Sequence, residues 1–140
     1  MGEGSFNISI LSPARTFLEK LFFIHETLGG FNKGSERKSR HYYDLLKLYR
    51  AGVFDRIRDN RELLQMVVEP RQTFFRYNTL DYAGILKNGV QVVPPKESWA
   101  DWRSDYSRTT VMIYNDIPSF DDLMQFAAQL EIEFNEWVLN

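Results

Sequence analysis

Apolar residues recur at helical spacing along most of this chain. Phe17, Leu21, Ile24 and Leu28 share one helical stripe, Leu18 and Phe22 widen it, and Ser12 followed by Pro13 supplies a cap and a proline at the first helical position. The pattern predicts a buried helix over Pro13–Leu28, stopped by Gly29 and Gly30. A second helix begins near Arg37 or Arg40, capped by Ser35 or Ser39, with Tyr42, Leu45, Leu46 and Tyr49 turned inward before Gly52. Two shorter helices follow, over 53–58 and 61–68, divided by Asp59 and Asn60, and Pro70 ends or kinks the second.

Three further stretches depart from or extend this pattern. Residues 6–10 alternate loosely between apolar and polar, as in a short extended segment or edge strand, and 31–36 read as a loop. From 79 to 95 the helical period disappears: Gly84, Gly89, the run Val90-Gln-Val-Val93 and the pair Pro94 and Pro95 indicate a long loop, with a small hairpin near 85–93 as its structured alternative. Ser98 and Asp101 have capping-box spacing and open a helix through about Tyr114. The last helix has Ser119 as cap, Asp121 and Asp122 in the first turn, and Phe120, Leu123, Met124, Ala127, Leu130, Phe134 and Trp137 at helical spacing. The reading is a mainly α chain, a bundle of five or six helices forming one domain over 1–140.

Composition narrows the function classes. At 140 residues and 44% hydrophobic the chain can bury a continuous core, and it holds no cysteine and two histidines, which excludes disulfides and thiol chemistry and disfavours a histidine-rich metal site. No apolar run approaches the roughly 20 residues that span a bilayer, and no signal-peptide pattern opens the chain, so a cytoplasmic protein without membrane contact is expected. Met1-Gly-Glu-Gly-Ser5 reads as a short flexible lead. The net charge of −2 conceals a basic middle, +5 over 33–76, and an acidic end, −7 over 97–140. The two parts either attract each other across the fold or steer an anionic partner to the basic one.

The candidate chemistry lies on the first two helices. On a helical wheel Lys20 falls beside Phe17, Phe23 and Ile24, at the rim of the buried stripe, where a lysine either snorkels to solvent or meets a ligand. Arg37, Arg40, His41 and Asp44 share one face of the second helix. Arg40 and Asp44 have the spacing of an ordinary surface ion pair. Cations gathered at the start of a helix, where the macrodipole disfavours them, point instead to a surface that accepts phosphate. No phosphate-binding glycine loop, Ser-His-Asp order or HExxH pattern is present.

The runs Leu11-Ser-Pro-Ala-Arg-Thr-Phe-Leu-Glu-Lys-Leu21, His25-Glu26, Ser39-Arg-His-Tyr-Tyr-Asp-Leu45, Asp105-Tyr106, Met112-Ile-Tyr114, Pro118-Ser-Phe-Asp-Asp-Leu123 and Leu130-Glu-x-Glu-x-Asn135 occur in this order. In that order and spacing the chain resembles the C-terminal helical region of the AbiEii/AbiGii toxin family of bacterial nucleotidyltransferases. The resemblance implies a two-part enzyme, with an N-terminal sheet that carries a Gly-Ser motif and an Asp-x-Asp pair for Mg²⁺, and a nucleoside triphosphate held between sheet and helices. It implies catalytic roles for Lys20 and Asp44 and phosphate binding by Lys20, Arg37 and Arg40. It also implies an RNA acceptor, an antitoxin and a separate catalytic domain as partners.

Two departures stand out. The family's acidic residue four places before the lysine is Thr16 here, and its Arg-Asp-x-x-Asp motif becomes Arg40-His41-x-x-Asp44. No Gly-Ser followed by a strand and Asp-x-Asp occurs in the 140 residues, so the chain reads as the helical part, cut from a longer protein or encoded as a separate piece, inactive alone and without a metal site or cofactor of its own. Two other classes compete with this reading: a non-catalytic interaction module docking through exposed Trp99, Trp102 or Trp137, and a sequence-independent RNA binder using 33–76.

Overall fold

The computed structural model describes residues 12–29, 39–74, 88–110 and 118–139. The extended segment expected over 6–10, the cations Arg37 and Lys38, the first residues of the alternative hairpin and the helical turn expected after 110 lie outside them. The fold is a mainly α bundle. Its helices are α1 (Pro13–Leu28), α2 (Arg40–Arg50), α3 (Val53–Arg58), α4 (Glu62–Phe74), α5 (Trp99–Thr110) and α6 (Phe120–Leu139), with a 3₁₀ turn (Lys96–Ser98) before α5.

Helix boundaries follow local chemistry. Ser12 Oγ accepts a hydrogen bond from Ala14 N at 3.1 Å and caps α1 as the serine-proline pair predicts. Ser119 does the same for α6, its Oγ accepting from Asp122 N at 3.0 Å. Between α2 and α3 the chain turns through Gly52 at φ +83°, a left-handed conformation that a side chain would disfavour. Two details differ from the sequence pattern. Helix α4 runs to Phe74, past residue 68 where the apolar pattern ends it, since a proline removes one backbone hydrogen bond and the rest of the ladder is retained. Ser98 does not form a capping box, since its Oγ donates to Pro95 O at 2.8 Å within the 3₁₀ turn.

α1 packs against α2, α3 and α4, and α2 packs against α3 and α6. Phe17, Phe22, Phe54 and Phe134 are fully buried at the centre, with Phe54 stacked on Phe17 at 5.8 Å and 6.3 Å from Phe134. Burial of each such ring stabilises the fold by roughly 1.5–3 kcal/mol. The tryptophans belong to this network. Trp102 meets Tyr42 edge-on at 5.4 Å, Trp99 meets Phe120 at 5.8 Å, and Trp137 meets Phe134 at 5.6 Å, so none of them is the exposed docking aromatic that an interaction module would need.

Residues 89–95 form neither helix nor strand, with Gly89 at φ +83° and a bend at Val93, and no strand among the described residues pairs with them. Side chains of the bundle take a strand's place. Asn135 of α6 accepts from Val90 N at 2.8 Å and donates to Val90 O at 3.1 Å, while Glu131 Oε1 accepts from Val92 N and Val93 N at 2.7 and 3.0 Å. His25 Nδ1 of α1 accepts from Gln91 N at 2.9 Å, and Tyr42 donates its hydroxyl to Val92 O at 2.5 Å. Val90 and Val92 are thereby buried against the bundle with their polar backbone groups satisfied. No helix among the described residues is long and apolar enough to cross a membrane.

Candidate functional site

α1 and α2 pack so that Lys20 and Asp44, 24 positions apart in sequence, become partners. Lys20 Nζ lies 3.2 Å from Asp44 Oδ2, and Arg40 Nε lies 4.0 Å from the same oxygen. The Lys20 and Asp44 side chains are 25% and 26% exposed and that of Arg40 is 50% exposed. Lys20 therefore sits at the rim of the core, as the wheel places it, with its ammonium directed to a carboxylate on the next helix. A pair this open to solvent contributes up to about 1 kcal/mol to stability.

Asp44 meets two cations with one oxygen, and Glu19 brings a second carboxylate to this corner of the bundle. Beside it opens a cavity of about 320 Å³ lined by Thr16, Glu19, Lys20 and Phe23 of α1 and by His41 of α2. The Phe23 and His41 rings lie 4.5 Å apart at 45°. His41 Nδ1 is buried and has no hydrogen-bond partner, a state that costs about 1–3 kcal/mol. Burial holds the His41 pKa below its ordinary value of 6.5; Lys20 and Arg40 push the same way and Asp44 opposes them. The ring at this site is a neutral imidazole near pH 7.

The structure revises the sequence argument for phosphate at one point. The start of α2 is not an open positive pole: the Asp105 carboxylate of α5, 9% exposed, accepts from Ser39 N at 2.9 Å and also from Ser39 Oγ. Arg108 stands 3.6 Å from the other Asp105 oxygen. The helix dipole is thus answered from within the fold, and an anion at this corner meets the side chains of Lys20 and Arg40 rather than bare backbone N–H groups. Arg37 lies outside the described residues.

A family model described as nucleotidyl transferase AbiEii toxin, type IV toxin–antitoxin system, matches residues 1–126. The chain belongs to the AbiEii family. No curated protein and no solved structure matches it. Within the AbiEii chain the motif residues fall into two groups. Lys20, Arg40 and Asp44 converge at one corner, with Thr16 and His41 beside them. Asp105, Glu131 and Asn135 hold backbone instead: Asp105 fixes the start of α2, and the other two carry residues 90–93.

Sequence reasoning missed the positioning role of Asp105 and the cavity wall formed by Phe23. A buried aspartate 66 positions from its partner leaves no local signal. Among the described residues no three His, Asp or Glu side chains converge as a metal ion would require. The described part of the chain presents no cluster fitted to the Mg²⁺ that nucleotidyl transfer implies.

Proposed function

We propose that this AbiEii chain supplies the helical, phosphate-binding side of a nucleotidyl transfer site. The observation that supports it is the convergence of Lys20 and Arg40 on Asp44 at the mouth of an open cavity. Lys20 neutralises phosphate oxygens of a nucleoside triphosphate, Arg40 assists, and Asp44 orients the ammonium or a hydroxyl of the substrate. Such cations favour the charge that develops during displacement at phosphorus. Their carboxylate partner keeps Lys20 extended across the gap between α1 and α2 before substrate arrives. The Mg²⁺-holding carboxylates come from a separate catalytic domain, an RNA is the acceptor, and an antitoxin is the regulatory partner.

Isothermal titration with inorganic tripolyphosphate and with nucleoside triphosphates tests this directly. Charge reversal by Lys20→Glu, and separately by Arg40→Glu, is expected to weaken binding by about ten-fold or more, since each loses a charge-assisted contact and adds repulsion. Unchanged binding in both variants overturns the reading. The purified chain with Mg²⁺, a nucleoside triphosphate and RNA is expected to incorporate no nucleotide, and incorporation would overturn its assignment as the non-catalytic side.

A further inference from the structure

We infer that the cavity beside Lys20 receives the base of a nucleoside triphosphate, laid against the paired rings of Phe23 and His41 while Lys20 holds the phosphates. The inference rests on the phosphate-binding reading of Lys20 and adds where the rest of the nucleotide goes. The cavity wall carries one ammonium, one hydroxyl, one carboxylate and two aromatic rings. A polyphosphate is a poor occupant of such a wall, because its two rings offer no donors and its one carboxylate, Glu19, paired with Arg15 at 3.2 Å, offers none either. A nucleobase suits it in each respect. Its flat face can lie on either ring, the two being tilted 45° to each other, and its edge presents donors to Thr16 and to the Glu19 oxygen that Arg15 does not hold.

Size and position agree with this occupant. The site is open to solvent over much of its extent, and its volume of about 320 Å³ leaves room for a base. Phe23 and Lys20 lie three residues apart on α1 and so project from one face. A ligand anchored by Lys20 therefore lies over the Phe23 ring. His41 is half-buried among Phe23, Lys20, Asp44 and Arg40, and an uncharged imidazole there can stack on a base without competing for phosphate. Its unpartnered Nδ1 is the kind of group that a shift of the ring on binding can satisfy.

The test compares nucleoside triphosphates with inorganic tripolyphosphate on the full chain by isothermal titration, with thermal melting as the check on folding. Wild-type protein is expected to bind the nucleotides about ten-fold tighter than tripolyphosphate, the difference being base stacking. Phe23→Leu keeps an apolar side chain in place, and His41→Asn removes the second ring. Each is expected to reduce that advantage to about three-fold or less while leaving tripolyphosphate binding unchanged. Equal affinity for nucleotide and tripolyphosphate in the wild type overturns this inference and leaves the phosphate reading standing, as does an advantage untouched by both variants. Failure of both ligands to bind overturns the phosphate reading and this inference with it.

Discussion

At position 135 one amide takes the place of a neighbouring strand. Asn135 pairs with both the N–H and the carbonyl of Val90, so Asn135→Ala leaves two backbone groups unsatisfied beside a buried valine, a loss of about 1–3 kcal/mol. Urea denaturation is the measurement, with an unchanged midpoint the contrary result. Gly89 explains why the approach is so close. Its φ is +83°, and a Cβ there would stand 2.3 Å from Asn135 Oδ1, so Gly89→Ala combines backbone strain with a clash and is expected to destabilise by at least as much. Neither effect is visible from composition or spacing around residue 89, where glycine reads simply as a loop residue. The signal was divided between a loop and a helix 45 positions away.

Among the elements, α2 shows the sharpest division between what a local pattern predicts and what a neighbour supplies. Its inward stripe of Tyr42, Leu45 and Leu46 is legible from spacing and is buried as expected. Its start is not decided locally, because Ser39 makes no side-chain cap and instead donates to Asp105 on α5. Asp105→Ala should therefore free the first turn of α2, raising amide hydrogen exchange there and lowering stability by about 1–3 kcal/mol, while exchange at the start of α6 stays unchanged. For contrast, Ser119→Ala removes a cap that sequence alone predicted and should cost about 0.5–2 kcal/mol, with fraying confined to α6.

For the whole molecule, one long-range contact joins the middle of the chain to its last helix. Arg61 at the start of α4 donates to Trp137 O at 3.0 Å and to Val138 O at 2.6 Å and lies over the Trp137 ring, placing a cation at the negative end of α6. This contact is made with backbone carbonyls and a ring of α6 rather than with its carboxylates. Folding is also linked to pH through both histidines. Burial lowers the pKa of His25 and of His41 below 6.5, with Glu26 opposing at His25. Below pH 6.5 the unfolded chain then binds more protons than the folded one, so stability is fully present above that pH and falls as the pH drops through the region beneath it. Protonated His25 also cannot accept from Gln91 N at Nδ1, which adds the undocking of residues 90–93 to the same window. Chemical denaturation between pH 5 and 8, on the scale of an ordinary histidine titration, should show this slope, and His25→Asn together with His41→Asn should flatten it.

The spacing of apolar positions was sufficient to place the helices and their buried faces, and Ser12 and Ser119 as caps, because helix formation and burial of a stripe depend on neighbours within a turn or two. It also placed Lys20 at a rim and Arg40 with Asp44 on one face. Only the packing of α1 on α2 made Lys20 and Asp44 partners, set Phe23 against His41 and opened the cavity beside them. Only the packing of α6 and α1 on residues 90–93 turned what reads as a loop into a segment held by side chains. Those contacts join residues far apart in sequence, and their energies depend on distance and burial that no local pattern encodes.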